Sequence, residues 1–344
     1  MKRRFAPLAV LAATAIFLAG CTMSSETPAP EETAAGGDTN TTEEMASDLQ
    51  IGLVAVNANS PSIARINDAF VSAAEAAGWT VEVFDGQGDQ NATNNAANDF
   101  ISRGFDAVVN NSSPNQQMTG VIENAEAAGV PFVSIYGGYV PGLDAEIGTN
   151  EFVHSSLITQ EMVNALGGEG RVVKMNWTVL QALRDRDEAF NAVVGQAPGI
   201  EVARSVDIKV PGQIDDAYAQ MTNILASDPD IDAVWIGWDE LAPPVVRAIE
   251  EAGLQDEIVV YGFDGNPFAW DLIRENSPYV METAGPFEPM GERAVQAINT
   301  LVGGGTLSPN VIYMKPCLIT RETVPAQGEM PDWENCAFFP GEIE

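Results

Sequence analysis

Six short stretches of the chain gather the side chains able to bind or react. They are residues 57–62, residues 110–115, Tyr136 with the two glycines after it, Asn176-Trp177, Trp238-Asp239, and Phe263-Asp264-Gly265-Asn266-Pro267. Amides, hydroxyls and carboxylates supply both donors and acceptors, and tryptophan supplies an apolar face. That mixture suits a neutral polyhydroxylated ligand whose hydroxyls need both kinds of partner and whose C–H faces pack on aromatic rings. Catalysis is poorly provided for. His154 is the only histidine, and there is no Gly-x-Ser-x-Gly and no metal-ligand spacing. Only a glycosidase-like pair of carboxylates remains. With 49 acidic residues such a pair arises by chance. Gly303-Gly304-Gly305 follows a helix instead of opening one and lacks the Lys and Ser/Thr of a phosphate loop, so it reads as a helix end and turn. The expectation is a binding protein, not an enzyme, with no cofactor and no metal.

The elements that must position these stretches alternate. Short β-branched runs are followed by alanine-rich amphipathic stretches, the pattern of βαβ units and a parallel sheet. Strands are expected at Gln50–Val56, Thr80–Phe84, Ala107–Asn111, Pro131–Tyr136, Arg171–Met175, Glu201–Val206, Ala233–Gly237, Ile258–Phe263 and Tyr279–Glu282. Ile63, Ile66, Phe70, Ala74 and Ala77 form one helical face closed by Gly78. Helices are likewise expected at Asn91–Arg103, Asn115–Ala128 and Leu241–Ala252, each ending at a glycine. Four such units precede residue 150 and four or five follow it, so the fold class is α/β with two Rossmann-like lobes. In open parallel sheets ligands bind beyond the carboxyl ends of the strands, where the six stretches fall.

The two ends have other roles. Lys2, Arg3 and Arg4 precede an apolar run of twelve residues, Leu8 to Ala19, too short to span a bilayer and fitting a signal peptide over 1–20. It ends in Leu18-Ala19-Gly20-Cys21, which looks like a bacterial lipobox and makes Cys21 the expected lipidation site, tying the chain to a membrane through acyl chains. Residues 21–48 hold seven acids and no Lys or Arg and read as a disordered acidic tether. Cys317 and Cys336, in a chain that leaves the reducing cytoplasm, are expected to form a disulfide, with free thiols as the alternative. The net charge of −33, with only four lysines, excludes a phosphate backbone as partner. The acidity fits either a salt-rich habitat or simply an acidic exported protein.

Ile51-Gly52-Leu53-Val54-Ala55-Val56 with Asn59-Ser60-Pro61, the segment Arg184-Asp185-Arg186-Asp187-Glu188-Ala189-Phe190, the run Asp228–Val234, and Gly262-Phe263-Asp264-Gly265-Asn266-Pro267 resemble the ribose-binding type of periplasmic solute-binding protein. The resemblance implies a type I binding protein, monomeric, with three hinge crossings and a ligand delivered to an ABC transporter permease; a lipoprotein sensor presenting its ligand to a receptor is the alternative. By that likeness the crossings fall near Thr149-Asn150, Gly285-Pro286 and Ile312-Tyr313. The N-terminal lobe is then 49–149 plus 286–311 and the C-terminal lobe 150–285 plus 312–344. Asp264 matches the family's carboxylate for adjacent sugar hydroxyls, Arg184 an arginine donating to ring or hydroxyl oxygens, and Asn59 the polar residue before the first helix. Ser62 and Ile63 replace an aromatic stacking pair, Tyr136-Gly137 stands where an Asp-Arg pair is common, and Trp238 replaces an asparagine. Trp177 and Trp238 are expected to form the stacking wall. Deoxy-sugars, polyols, substituted sugars and nucleoside-like ligands fit these departures as well as a plain sugar. Each residue also has a structural alternative: Asp264 or Asn59 as a helix cap, Arg184 in a helix-surface ion pair, Trp177, Trp238 and Tyr136 in the core.

Overall fold

A computed structural model describes residues 45–338. The expected leader, Cys21 and the stretch up to residue 44 lie outside the described residues, as do the last six residues.

Two six-stranded sheets organise the chain. The first contains β1 (Gln50–Ala55), β2 (Thr80–Asp85), β3 (Ala107–Asn111), β4 (Phe132–Ile135), β5 (Ala145–Gly148) and β11 (Val311–Tyr313), ordered β11-β5-β4-β3-β1-β2 and parallel throughout. The second contains β6 (Glu169–Asn176), β7 (Gly199–Asp207), β8 (Ala233–Ile236), β9 (Val259–Asp264), β10 (Tyr279–Ala284) and β12 (Cys317–Thr320), ordered β12-β10-β9-β8-β6-β7. Only its edge strand β12 runs antiparallel. The central strands β3, β4 and β8 are buried along their whole length, because crossover helices cover both faces of a parallel sheet.

The helices follow from their apolar stripes. In α1 (Pro61–Ala76), Ile63, Ile66, Phe70 and Ala74 are buried and proline occupies the first turn, where a missing N–H costs nothing. The Asn-rich run lies on α2 (Gln90–Ser102), capped by the Asp89 side chain, which accepts from the N–H of Asn91 and Ala92. α3 (Thr119–Ala128) begins later than its expected start at Asn115, after a separate tight turn over Asn115–Gln117.

Within the described residues the chain passes between the sheets three times. The first passage is Thr149-Asn150, between β5 and α4 (Glu151–Ala165), and the second is Gly285-Pro286, between β10 and α9 (Phe287–Val302). α9 returns to the first sheet and packs on α1. Gly291 permits the approach, since a Cβ there would sit 2.6 Å from the Phe70 amide and 2.7 Å from the Ile66 carbonyl oxygen. The third passage lies later than expected. Ile312 and Tyr313 still pair with β5, and the Met314 N–H donates to the Gly148 carbonyl, so the chain leaves the first lobe over 314–316. A second correction concerns the tether. Its last residues are already tied down, with the Ala46 N–H donating to Asn299 and the Ala46 carbonyl accepting from the Trp79 indole at 2.6 Å.

Cys317 and Cys336 are disulfide-bonded, their Cα atoms 5.5 Å apart. The bond holds the segment after β12 against the core of the second lobe.

Candidate functional site

A cavity opens where the carboxyl ends of the two sheets face each other. The first lobe contributes the loop after β1 (Asn57, Ser60), the start of α1 (Ser62, Ile63, Ile66), Ser112 beyond β3 and Tyr136 beyond β4. The second contributes Trp177 beyond β6, the start of α5 (Gln181–Val194), Val210 and Gln213 beyond β7, Trp238 and Glu240 beyond β8, and Asp264 at the end of β9. Phe287, opening α9, completes the wall. The cavity offers about 90 Å³ to the centres of water-sized molecules. One water needs about 10–15 Å³ on that measure, so the space holds several waters or one small molecule.

Three lining residues sit in the left-handed backbone region: Ser112 at φ 68°, Tyr136 at φ 58° and Asp264 at φ 101°. Non-glycine residues adopt that region at a cost, so the surrounding fold must hold these strand ends in place, as is common at binding sites.

The polar centre is Arg186, whose side chain is almost completely buried. Its Nε donates to Glu151 at 2.5 Å, and its Nη1 donates to the Gly237 carbonyl at 2.7 Å and to Asp264 Oδ1 at 2.8 Å. The guanidinium lies 4.8 Å from the centroid of the Phe263 ring. Nη2 has no hydrogen-bond partner among the described residues. Burial pulls the arginine pKa down, but Glu151 and then Asp264 outweigh it, and the group stays charged. Burial likewise raises Glu151, yet Arg186 with lesser help from His154 and Thr149 leaves its carboxyl below the ordinary value. Thr149 joins Glu151 to the Tyr136 hydroxyl, which lies 2.7 Å from the threonine oxygen.

Asp264 also meets the opposite lobe. Its Oδ2 accepts from the Ser62 hydroxyl at 2.9 Å, and Ser62 in turn accepts from Asn266 Nδ2 at 3.0 Å. Arg65 donates to the Gly265 carbonyl at 2.7 Å, and Ser60 to Glu240 at 3.3 Å. The two lobes therefore touch across the cleft, in a closed arrangement. Asn266 is held from behind by Asp239, which accepts from its backbone and side-chain nitrogens at 2.7 and 2.8 Å. Asp239 is fully buried. Burial first, and then the neighbouring Glu282 and Asp264, push its pKa well up.

Of the residues expected from sequence, Ser62, Tyr136, Trp177, Trp238 and Asp264 line the cavity together. Two do not. Arg184 is turned outward, donating to the carbonyls of Thr178 and Val179 and to Gln181, so it braces the loop before α5. Asn59 is exposed and donates to Asp85 at 2.9 Å. Their places are taken by Arg186 and by Asn57 and Ser60, while Glu240, Gln213 and Phe287 were not foreseen. Helical spacing held the signal for Arg186. Leu183, Arg186, Ala189 and Phe190 form the buried face of α5, and Arg184 falls on the other side.

Two α/β lobes joined by three passages, with a cavity lined from both, define a bilobal ligand-binding protein. The sequence profile described as "Periplasmic binding protein domain" matches residues 51–306, and the chain belongs to that family. Its relatives are binding proteins, not enzymes. The chain is 25% identical over 260 residues to the ribose import binding protein RbsB of Bacillus subtilis, covering 75% of this chain and 83% of that one. It is 25% identical over 274 residues to a D-apiose import binding protein of Paraburkholderia graminis, covering 79% and 87%. Among solved structures, the 5-methylthioribose transporter solute binding protein of Thermotoga lettingae, in complex with 5-methylthioribose, superposes with a TM-score of 0.75 at 25% identity over 83% of this chain and 96% of that one.

Proposed function

We propose that this protein is the extracytoplasmic, lipid-anchored substrate-binding component of an ABC importer, taking a small sugar or polyol between its lobes by hinge closure. The observation that carries the reading is the buried Arg186–Asp264 pair facing Ser62 of the opposite lobe. A fixed guanidinium donor beside a carboxylate acceptor matches two adjacent hydroxyls, each of which donates and accepts once. The import roles of the ribose and apiose relatives support the same class of ligand. Because the ligand touches both lobes, it favours the closed form by its differential affinity.

Calorimetric titration with D-ribose, D-apiose and pentitols, combined with small-angle scattering, tests this. Saturable binding accompanied by a smaller radius of gyration is expected, and binding without compaction refutes hinge closure. The anchor is tested separately. Cys21→Ala is expected to move the exported protein from the membrane fraction to the soluble one, and unchanged fractionation refutes lipidation at Cys21.

A further inference from the structure

The cavity wall is not built for a ligand that is polar all round. Resting on the sugar or polyol reading above, we infer that the ligand carries an apolar substituent, such as an alkyl, alkylthio or aryl group, opposite its hydroxylated end. A buried hydroxyl without a partner is costly, so a binder of a fully hydroxylated ring needs a polar group near each hydroxyl around the ring's edge, even where aromatic side chains cover its C–H faces. Here much of the polar lining is already engaged by protein. Ser112 donates to Asn111 at 3.0 Å, Ser60 and Gln213 donate to Glu240 at 3.3 and 3.1 Å, and the Trp238 indole N–H also goes to Glu240. The groups placed to receive a ligand's hydroxyls are Arg186 Nη2, the remaining lone pairs of Asp264 with Ser62, and Asn57.

The rest of the wall is apolar and comes from both lobes. Trp177, Leu180, Leu183 and Val210 pack with Trp238 on the core of the second lobe. Tyr136 and Phe287 pack on that of the first, their rings 6.1 Å apart edge to face, and Leu180 touches both cores. A hydroxylated ring set against Arg186 and Asp264 leaves this second face for whatever the ring bears. An apolar group there gains roughly 25 cal/mol for each Å² it removes from water. A hydroxyl at the same point faces indole, leucine and valine surfaces and competes with three protein donors for the nearby Glu240 carboxylate. The preference is thus enforced from both sides, by attraction of the substituent and by rejection of its polar counterpart.

The test is a ligand series on the purified protein: D-ribose, 5-deoxy-D-ribose and 5-methylthio-D-ribose by calorimetry. Affinity is expected to rise along the series, by at least tenfold from the first to the last. Leu180→Asn, at a partly buried position where asparagine still caps α5, is expected to shrink that ratio several-fold. Equal affinity across the series, or the highest affinity for D-ribose, overturns the apolar substituent and leaves the sugar reading standing. A ratio unmoved by Leu180→Asn overturns the assignment of this wall. Failure of all three ligands, together with sugars and polyols at large, takes down the sugar reading and this inference with it.

Discussion

Arg186 and Arg184 stand two positions apart in one segment, and a motif alone does not say which faces the ligand. The helix does, because α5 buries positions 183, 186, 189 and 190 and leaves 184 on its outer side. Removing Arg186 strands Glu151 and Asp264 as unpaired buried charges. Breaking such a pair costs on the order of 3–5 kcal/mol, so Arg186→Met is expected to lower both melting temperature and affinity. Arg184→Ala is expected to leave affinity within about twofold, since its bonds are to nearby exposed backbone. Equal losses in the two variants return Arg184 to the site. Asp264→Ala removes the acceptor for ligand hydroxyls and is expected to cost about 1–3 kcal/mol of binding, roughly 5- to 150-fold in titration. Asp264, Tyr136 and both tryptophans were legible because each stands at or just beyond the carboxyl end of a strand. Glu240 and Gln213 were not, since nothing local distinguishes them among so many acids and amides.

At the level of elements, the alternation of strand and helix was plain wherever an apolar stripe met solvent on its other side. It faded where burial was two-sided or polar. α4 buries Glu151, His154, Ser155 and Thr159 along with its apolar residues, so it shows no clean stripe. β5 hides Glu146, whose carboxyl burial pushes up to about 7, within a run of four residues. β11 and β12 are short edge strands whose pairing is decided by distant partners. The disulfide staples the segment after β12, enclosing a loop with a sequence separation of 19. A loop of that size constrains the unfolded chain by about 3 kcal/mol. Cys317→Ser is therefore expected to lower the melting temperature by several degrees without changing affinity. Identical melting curves under oxidising conditions count against the bond.

For the molecule as a whole, buried groups set opposing slopes of stability with pH, His154 on the acidic side and Glu282, together with Glu146 and Asp239, on the alkaline side. Burial above all holds His154 near 4, below its ordinary 6.5. The unfolded chain takes up that proton first as pH falls, so this group's contribution is lost between about pH 6.5 and 4. Burial holds Glu282 near 8, above its ordinary 4.5, with Tyr279 donating to it at 2.8 Å. Here the unfolded chain releases the proton first, so stability is lost as pH rises from about 4.5 through 8. Melting curves from pH 4.5 to 8.5 test both. Relative to the parent, His154→Gln is expected to flatten the acidic limb and Glu282→Gln the alkaline limb. Parallel curves refute the assignment.

The passages between lobes also govern when the molecule can fold. The first sheet waits for α9 and for its edge strand at 311–313, and the second for its edge strand at 317–320. In many multidomain chains the N-terminal domain is complete while the rest is still being made. Here neither core is sealed until almost the whole polypeptide has emerged. A chain halted anywhere before Cys317 leaves the second sheet without an edge, and one halted before Phe287 leaves the first without its covering helix. The two lobes, so distinct in space, are one unit in time.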